Sequence, residues 1–389
     1  MKIALLMMHG RVHQHVGGAP RIFFDMANYF SQSGHQVLSI YSDENEGLPY
    51  YHADASVSLH NLALPKKFKG IKKYKLLREV LRAVDRFPGV NVKFNPVTLQ
   101  WQKQAGEAIV ASLTDFKADV VIAYHVSDLV SLKYSGVTHP KTLVMCHTDP
   151  SRIYQNLATY ERAAWQQVDA IQVLLPSYRQ ALKRCVPTAI EVIGNMVPQL
   201  RESADLTKKR IVYLARIEKN KRQHLIIEAI HQIAPAVRSG WTVALFGSCN
   251  DLIYQQDLEG LIKQYNLQEI VQLMGATSKP FEELQSSSIC AFPSAFEGFP
   301  LALTEAMSSG LPCVGFSECS GVNELIVDKK TGFLVDDVDD FAVVLGGLMQ
   351  DHRLRYQVGQ AAKVSVLEYS EDVIWGQWEK LIEKGKVYS

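Results

Sequence analysis

Short apolar runs alternate with longer stretches of helical character along the 389-residue chain, and this alternation most constrains its fold. Strands buried on both faces read as nearly continuous apolar runs, and helices between them allow neighbouring strands to be parallel. The pattern therefore predicts a doubly wound α/β architecture. The predicted strands are residues 2–8, 34–40, 119–124, 141–146, 169–175 and 189–193 in the first half, and 211–215, 241–246, 270–274, 288–292 and 311–316 in the second.

The alternation lapses between residues 196 and 209, where Pro198, Ser203 and several charged residues interrupt it. The same pattern of strands and helices then starts again. Such an interruption is typical of a linker between domains. The sequence therefore predicts two Rossmann-like domains that face each other across a cleft.

Three segments follow from this division. We predict an N-terminal domain over residues 1–198 and a C-terminal domain over residues 199–365. A last helix within 366–389 contains Trp375 and Trp378. We expect these tryptophans to pack the helix back across the N-terminal domain.

Composition excludes several classes of protein. The chain has 41 basic and 40 acidic residues, so its net charge gives no argument for nucleic acid. It shows no apolar run of about 18 residues, and Met1-Lys2 leads directly into a strand-like run, so we expect no signal peptide and a cytoplasmic protein. Its six cysteines lack Cys-x-x-Cys spacing, which favours buried free thiols over a zinc site.

Glu297 and Glu305 bracket a loop that leads into a helix. The apolar run 288–292 ends in a turn that Gly298 permits, and a helix is expected to begin near Pro300. A helix N-terminus at the carboxyl edge of a parallel sheet suits phosphate, and carboxylates accept hydrogen bonds from hydroxyl groups. The stretch is consistent with a sugar-nucleotide site. The alternative is a pair of glutamates that are merely solvated.

Arg216 and Lys221 follow the first strand of the second half. A guanidinium and an ammonium together can neutralise a diphosphate, although a solvated basic turn would look the same. Because Arg216 and Glu297 each follow a strand of one doubly wound half, both are expected at one carboxyl edge.

With these residues in place, the chain resembles the retaining glycosyltransferases of family four, which have the GT-B architecture of two Rossmann-like domains. The resemblance implies that residues 1–198 form the acceptor-side domain and residues 199–365 the nucleotide-sugar-binding domain. Arg216 and Lys221 match the spacing of that family's diphosphate-binding pair, although Arg222 stands where the family often has glycine. Glu297 and Glu305 match its pair of glutamates. The resemblance implies that the first glutamate lies beside the donor sugar and that the second holds the ribose.

The resemblance implies further donor contacts. His147, at the end of the run 141–146, would contact the donor sugar near its reacting carbon; the alternative is an ordinary or helix-capping histidine. Asp149 is a further candidate for this contact, and His9 and His13, near the glycine loop, are candidates for contact with an acceptor. The remaining implied donor-binding residues are Gly17, Gly18, Gly247, Met274, Gly298, Phe299, Pro300 and Leu301.

The implied reaction moves a hexose or N-acetylhexosamine from a nucleotide-sugar to a hydroxyl group, with retention of the anomeric configuration. Arg216, Lys221 and the helix N-terminus would stabilise the departing diphosphate. No metal or other cofactor is expected, because these cations neutralise the diphosphate. We expect a UDP-sugar donor, with GDP-mannose as the alternative.

A basic segment at residues 66–86 points to the acceptor. Its apolar residues Phe68, Ile71, Leu77, Leu81 and Val84 recur at near-helical spacing. Such a helix suits an anionic membrane surface and a lipid-linked acceptor of bacterial surface polysaccharide or lipopolysaccharide synthesis, or else it packs its apolar stripe onto the domain. Its basic residues are Lys66, Lys67, Lys69, Lys72, Lys73, Lys75, Arg78, Arg82 and Arg86.

Two other classes of protein remain open at this point. A dinucleotide-dependent oxidoreductase would also be doubly wound, but the early glycines lack the Gly-x-Gly-x-x-Gly spacing and the glutamate pair would have no role. A non-catalytic subunit that binds a sugar-nucleotide would keep the same phosphate site.

Overall fold

The computed structural model describes residues 1–13, 17–65, 68, 71–84, 93–139 and 141–384. The chain divides into two compact units. Unit 1 comprises Met1–Gly194 and Trp375–Ser389, and unit 2 comprises Asn195–Ile374.

Unit 1 is built on a seven-stranded parallel sheet with the strand order β3-β2-β1-β4-β5-β6-β7. The strands are β1 Lys2–Met7, β2 Gln36–Tyr41, β3 Ser58–Asn61, β4 Val120–Ala123, β5 Lys141–Cys146, β6 Ala170–Val173 and β7 Ala189–Val192. The helices are α1 Gly18–Gln32, α2 Ile71–Val84, α3 Pro96–Phe116, α4 Val126–Ser135, α5 Pro150–Asn156, α6 Thr159–Trp165 and α7 Pro176–Lys183.

Unit 2 contains a six-stranded parallel sheet with the order β10-β9-β8-β11-β12-β13. Its strands are β8 Arg210–Leu214, β9 Thr242–Phe246, β10 Val271–Gly275, β11 Ile289–Phe292, β12 Cys313–Phe316 and β13 Phe333–Val335. Its helices are α8 Gln223–Gln232, α9 Pro235–Arg238, α10 Leu252–Gln264, α11 Pro280–Gln285, α12 Leu301–Ser308, α13 Val322–Leu325, α14 Val338–Gln350 and α15 His352–Ser365, and α16 Glu371–Glu383 follows.

Both sheets confirm the predicted doubly wound architecture. In each sheet the strand order runs outward in both directions from the first strand, so the topology reverses between β1 and β4 in unit 1 and between β8 and β11 in unit 2. The central strands are apolar because helices cover both of their faces, as β4 and β11 show with every residue buried. The carboxyl ends at each reversal are the usual place for a ligand in such sheets.

Two edge strands, β3 and β13, are absent from the set of strands that the sequence predicts. β3 is a polar edge strand, Ser-Leu-His-Asn, whose first three residues are exposed. β13 has only three residues. Because an exposed or very short edge strand buries little apolar surface, hydrophobic patterning does not mark it.

The end of α16 packs within unit 1. Trp375 and Trp378 are buried, and the Trp375 ring stacks on Tyr29 with centroids 5.1 Å apart. The His35 Nε2 lies 3.1 Å from the Glu379 carboxylate. Trp375 and Trp378 lie with Ile374, Leu381 and Ile382 on the buried side of this helix.

The six cysteines are free, as predicted, and four of them are buried. Among the helices that the structure describes, none combines the length and the apolar character needed to cross a bilayer.

Candidate active site

Lys221 and Glu297 meet at the carboxyl edge of the unit 2 sheet. Lys221 ends a short 3₁₀ turn, Lys219–Lys221, after β8, and Glu297 follows β11, the neighbouring strand. The Lys221 Nζ lies 2.6 Å from the Glu297 Oε1, and each side chain is less than one-sixth exposed. Lys221 and Glu297 therefore form a largely buried ion pair at the point where the topology reverses, at the sheet edge where the sequence predicts Arg216 and Glu297.

A buried tyrosine supports the carboxylate of this pair. The Ser294 hydroxyl donates a 2.6 Å hydrogen bond to the Glu297 Oε1, and the Tyr213 hydroxyl lies 2.7 Å from the Ser294 Oγ. Because Ser294 uses its one proton on Glu297, Tyr213 donates to Ser294. Burial, and next the nearby Glu297 charge, raises the pKa of Tyr213 well above its usual value, which keeps the phenol protonated as a donor.

Backbone contacts fix the loop that carries Glu297. The Ala295 N–H donates to the Asn220 carbonyl oxygen at 2.9 Å, and the Asn220 amide donates to the Phe296 carbonyl oxygen at 3.1 Å. Gly321 has a φ of +87°, and a Cβ at this position would lie 2.8 Å from the Glu297 carbonyl oxygen. These contacts hold the loop after β11 against the 3₁₀ turn after β8.

Arg216 lies at the end of β8 but does not join the buried pair. Its side chain is 60% exposed and its Nη2 lies 3.2 Å from the Glu218 Oε1. Gly247, after β9, has a φ of +154°, and a Cβ there would lie 2.0 Å from the Ala215 carbonyl oxygen. A side chain at Gly247 would therefore push apart the backbone on which Arg216 sits. Met274, at the end of β10, is 44% exposed.

Glu305 lies on α12, and only 6% of the residue is exposed. The helix begins at Leu301, with Pro300 as its N-cap residue, so the predicted start near Pro300 is correct. Gly298 lies between Glu297 and the buried Phe299, whose ring packs edge-on against Tyr369 at 5.1 Å. The segment 298–301 is thus anchored by the contact between Phe299 and Tyr369 and by the start of α12.

His147 lies in unit 1, directly after β5. Its ring stacks on Tyr124 at 5.3 Å and meets His125 edge-on at 5.5 Å. Burial, and next the neighbouring His125, lowers the pKa of His147 to about 3, so the imidazole is neutral near pH 7. Its Nε2 is buried and has no hydrogen-bond partner among the described residues. A buried, unpaired nitrogen is costly and is suited to a hydroxyl group of a bound molecule.

Other polar residues of unit 1 have structural roles. The Asp149 Oδ1 accepts the Ser151 N–H at 2.8 Å and thereby caps α5. His13 is buried, with its Nδ1 2.6 Å from the Asn45 carbonyl oxygen and its Nε2 3.1 Å from the Tyr41 hydroxyl. Both His13 ring nitrogens are occupied, so the suggested acceptor contact does not fit this residue.

The early glycines stand at the start of α1. The helix begins at Gly18, and Gly17 is its N-cap residue. The Tyr51 hydroxyl lies 3.2 Å from both the N–H and the carbonyl oxygen of Gly17. The tyrosine therefore fixes the loop at the point where it enters the helix.

Two-thirds of the basic segment 66–86 is described as α2, Ile71–Val84. Lys66, Lys67, Lys69 and Arg86 lie outside the described residues. No residue of α2 is buried. The exposed large apolar residues of the helix are Leu76, Leu77, Val80 and Val84.

No group of three or more histidine, cysteine, aspartate or glutamate side chains arranged for a metal ion occurs in the part of the chain that the structure describes. An Asp-x-Asp tripeptide, a frequent metal-binding motif of glycosyltransferases, occurs at Asp337-Val338-Asp339. The Asp337 carboxylate accepts the Asp340 N–H at 2.9 Å and caps α14. The role of Asp337 in this structure is therefore to cap a helix. The expectation of a metal-independent reaction rests on Arg216 and Lys221 alone.

Sequence reasoning missed Tyr213 and Ser294. Tyr213 lies inside an apolar strand and Ser294 at the end of another, 81 positions apart. The tyrosine in the otherwise aliphatic run of β8 could have indicated this contact, because a buried phenol needs a hydrogen-bond partner.

Two protein-family models match adjacent parts of the chain. The model described as Glycosyltransferase Family 4 matches residues 16–199, and the model described as Glycosyl transferases group 1 matches residues 199–365. The fold and the matched models define a glycosyltransferase. The chain belongs to the group 1 and family 4 glycosyltransferases, which have the GT-B architecture, and this assignment displaces the oxidoreductase and non-catalytic alternatives.

Individual relatives agree with this assignment. The amylovoran biosynthesis glycosyltransferase AmsD of Erwinia amylovora is 24% identical over 94% of this chain and 96% of its own length. An exopolysaccharide phosphotransferase of Streptomyces coelicolor is 25% identical over 98% of this chain, which spans only 40% of that protein. A crystal structure of a Staphylococcus aureus TarM variant has a TM-score of 0.74 and 16% identity, and the match covers 98% of this chain and 99% of that one.

Proposed function

We propose that this glycosyltransferase moves a hexose or an N-acetylhexosamine from a UDP-sugar to a hydroxyl group of a glycan or lipid-linked acceptor, with retention of configuration and without a metal. The Lys221–Glu297 ion pair, at the reversal point of the unit 2 sheet, is the observation that carries the proposal. It places a cation and a hydroxyl-binding carboxylate together where a sheet of this type binds its ligand.

The diphosphate is the charged part of such a donor, and its departure is the step that needs stabilisation. The Lys221 Nζ lies 2.6 Å from the Glu297 Oε1, and the Arg216 side chain is 60% exposed beside Glu218. Both cations can turn to the diphosphate when it binds. Positive groups placed where negative charge develops lower the barrier, and removing one such group typically costs about 10²–10³ in rate.

Glu297 and His147 are proposed to bind the donor sugar. Once Lys221 turns to the diphosphate, the Glu297 carboxylate keeps its hydrogen bond from Ser294 and can accept bonds from sugar hydroxyl groups. His147 is neutral and its Nε2 is an unused polar atom. Glu305 is proposed to hold the ribose, and the remaining donor contacts are those implied for Gly17, Gly18, Gly247, Met274 and residues 298–301.

The nucleotide is proposed to be UDP. The TarM crystal structure of the same fold contains UDP together with α-GlcNAc-glycerol, which supports a uridine nucleotide and an N-acetylhexosamine. GDP-mannose is the alternative donor. The acceptor is proposed to belong to bacterial surface polysaccharide or lipopolysaccharide synthesis, and the name of AmsD supports the first of these.

Helix α2 supports a peripheral association with an anionic membrane. Leu76, Val80 and Val84 recur every four residues and are 70%, 52% and 40% exposed, so they form one apolar row on the outer side of the helix. The described cations Lys72, Lys73, Lys75, Arg78 and Arg82 lie on the same helix. Each basic residue near such a surface contributes about 1 kcal/mol, and the apolar row would enter the interface.

Turnover of a donor panel tests the proposal. Purified protein would be incubated with UDP-glucose, UDP-galactose, UDP-N-acetylglucosamine, UDP-N-acetylgalactosamine or GDP-mannose, with octyl glycosides as acceptors and EDTA present. Mass spectrometry identifies a product and proton NMR gives its anomeric configuration. We expect an α-linked product from one UDP-sugar in EDTA. A β-linked product from an α-donor, or a strict need for a divalent cation, would contradict the mechanism.

A further inference from the structure

A cavity of about 570 Å³ lies wholly within unit 1, at the carboxyl ends of β1 and β2. Its volume is within the range of roughly 300–1,000 Å³ that is typical of small-molecule sites. Residues after β1, including His9 and Arg11, line one side, and Asn45 lies after β2. Thr98 and Trp101 contribute the wall from α3. None of these side chains belongs to the donor-binding set proposed above.

His9 is held in this cavity by a buried carboxylate. The His9 Nδ1 lies 3.5 Å from the Asp128 Oδ1, and the Asp128 side chain is fully buried while 39% of the His9 side chain is exposed. The two Asp128 oxygens also accept the Met8 N–H at 3.1 Å and the His125 N–H at 2.9 Å. The backbone at the ends of β1 and β4 therefore fixes Asp128. Its carboxylate favours the tautomer of His9 that carries the proton on Nδ1.

The other nitrogen of His9 then carries a lone pair. The Ser127 Oγ lies 3.3 Å from the His9 Nε2, and it accepts a 2.8 Å hydrogen bond from the Gln102 Nε2. Gln102 is fully buried on α3, so this chain of contacts fixes the serine. The Ser127–His9 contact is long for an O–H···N hydrogen bond, so a ligand hydroxyl can replace it at little cost.

Trp101 supplies an apolar surface beside this nitrogen. The His9 and Trp101 ring centroids are 4.4 Å apart with an interplanar angle of 61°, so the indole sets the tilt of the imidazole. Trp101 is partly buried and lines the cavity. A pyranose ring has a C–H face that packs on an aromatic ring and an edge of hydroxyl groups that needs hydrogen-bond partners. In this cavity the Trp101 ring can pack against the C–H face, and the adjacent His9 can bind a hydroxyl group.

We infer that this cavity binds a pyranose unit of the acceptor, with Trp101 against the sugar ring and the Asp128-held His9 accepting a hydrogen bond from an acceptor hydroxyl group. The inference rests on the proposed function, because it supplies the acceptor half of that reaction. In this scheme His9 contacts the acceptor directly and fixes the direction of its hydroxyl group. The same sugar chemistry is offered by a free glycan end and by a lipid-linked glycan.

Tryptophan fluorescence tests the inference without any need for turnover. The chain has five tryptophans, and Trp165, Trp241, Trp375 and Trp378 are at most 3% exposed. A glycoside in this cavity would therefore contact Trp101 and change the fluorescence of that tryptophan directly. Methyl glycosides and octyl glycosides of glucose, galactose, mannose and N-acetylglucosamine would be titrated against the wild type and Trp101→Phe, and stabilisation by UDP or GDP would be measured in parallel.

Three histidine variants separate direct contact with the acceptor from a structural role. His9→Phe keeps a ring beside Trp101 but removes the hydrogen-bond acceptor, and His9→Gln places an amide oxygen near the position of Nε2. His52→Asn is the matched control, because the His52 side chain is 82% exposed. We expect His9→Phe to weaken glycoside binding and raise the acceptor KM about tenfold, with His9→Gln closer to the wild type.

The outcomes distinguish this inference from the proposed function. Saturable quenching of Trp101 by one sugar, weakened in His9→Phe while nucleotide stabilisation is unchanged, supports the inference. A response to octyl but not methyl glycosides indicates a lipid-linked source, and a response to both indicates the glycan alone. Nucleotide stabilisation without any glycoside response at Trp101 overturns the inference and leaves the proposed function in place. A protein that responds to neither nucleotides nor glycosides overturns both.

Discussion

Lys221 and Glu297 lie 76 positions apart in the sequence and 2.6 Å apart in unit 2. Both are largely buried, and the Glu297 Oε1 that contacts Lys221 also accepts a hydrogen bond from Ser294. We propose that an anionic donor competes with Glu297 for Lys221. The charges of the pair would then contribute both to the stability of unit 2 and to the reaction.

The first prediction concerns this pair. Lys221→Met removes the cation beside the largely buried Glu297 carboxylate, so we expect a loss of about 1–3 kcal/mol in the free energy of unfolding. Sugar transfer should fall by about 10²–10³. Urea denaturation and initial rates measure the two effects. Glu297→Gln is the companion variant: if it restores the transfer rate to Lys221→Met, the proposed role of the pair is wrong.

The second prediction concerns the support behind Glu297. Tyr213→Phe removes the donor to Ser294 in a buried site, and we expect the free energy of unfolding to fall by about 1–2 kcal/mol. Ser294→Ala removes the hydrogen bond to Glu297 itself and should lower kcat more than Tyr213→Phe does. Equal kcat values for Ser294→Ala and the wild type would show that the Ser294 bond does not position the carboxylate.

The third prediction uses a pair of glycines in unit 2. Gly247→Ala places a methyl group 2.0 Å from the Ala215 carbonyl oxygen at a φ of +154°, so we expect a loss of at least about 2 kcal/mol and weaker nucleotide binding. Gly260, inside α10, has no atom within 4 Å of an added Cβ. Gly260→Ala should instead stabilise the protein by about 1 kcal/mol. Urea midpoints for the two variants that move in the same direction would contradict this account.

The fourth prediction concerns pH. Burial lowers the pKa of His147 to about 3, below the value of about 6.5 in an unfolded chain. Between these values the unfolded state binds a proton that the folded state does not, so this residue makes stability fall as pH falls from about 6.5 toward 3, by up to about 1.4 kcal/mol per pH unit. His147→Phe keeps the stack on Tyr124 and should flatten that slope. His125, whose pKa burial also lowers, accounts for part of the remainder.

A matched control completes the pH experiment. His52 is almost fully exposed, so His52→Asn should leave the slope of stability against pH unchanged. Urea denaturation from pH 4.5 to pH 7 provides the measurement. If His147→Phe and the wild type have the same slope, His147 is not a buried neutral histidine.

The fifth prediction concerns α2. Replacing Leu76 and Val80 together by serine removes half of the exposed apolar set, and we expect binding to vesicles containing an anionic lipid to weaken severalfold without a loss of stability. Val343→Ser with Val364→Ser is the control, because these two exposed valines lie on unit 2. Vesicle sedimentation measures binding. No binding by the wild type, or equal weakening in the control, would exclude the membrane role.

Hydrophobic patterning predicts most of the fold because the central strands are buried on both faces. β4 and β11 appear as uninterrupted apolar runs, and the restart of the pattern after residue 209 marks the second sheet. Hydrophobic patterning does not predict β3, because most of its residues are exposed and it joins the sheet through backbone hydrogen bonds. Register along an edge strand is a tertiary property that local composition does not encode.

The site is predictable in its elements but not in its contacts. Arg216, Lys221 and Glu297 can be placed at one sheet edge from the strand order, yet the sequence does not show that Lys221 rather than Arg216 pairs with Glu297. The histidines show the same limit: His13 is occupied by Tyr41 and Asn45, whereas His9 lines a cavity. Which loop residue faces a ligand depends on long-range packing.

The most direct test of the central claim is thermal denaturation with UDP, GDP and ADP, using the wild type, Lys221→Met and Lys279→Met. Lys279 is a control lysine of unit 2 whose side chain is 65% exposed. At about 100 times its dissociation constant, UDP should add roughly 2.7 kcal/mol of stability to the wild type and to Lys279→Met. Lys221→Met should lose most of that gain. Equal stabilisation of all three proteins by UDP, or no response of the folded wild type to any of these nucleotides, would contradict a donor site at Lys221 and Glu297.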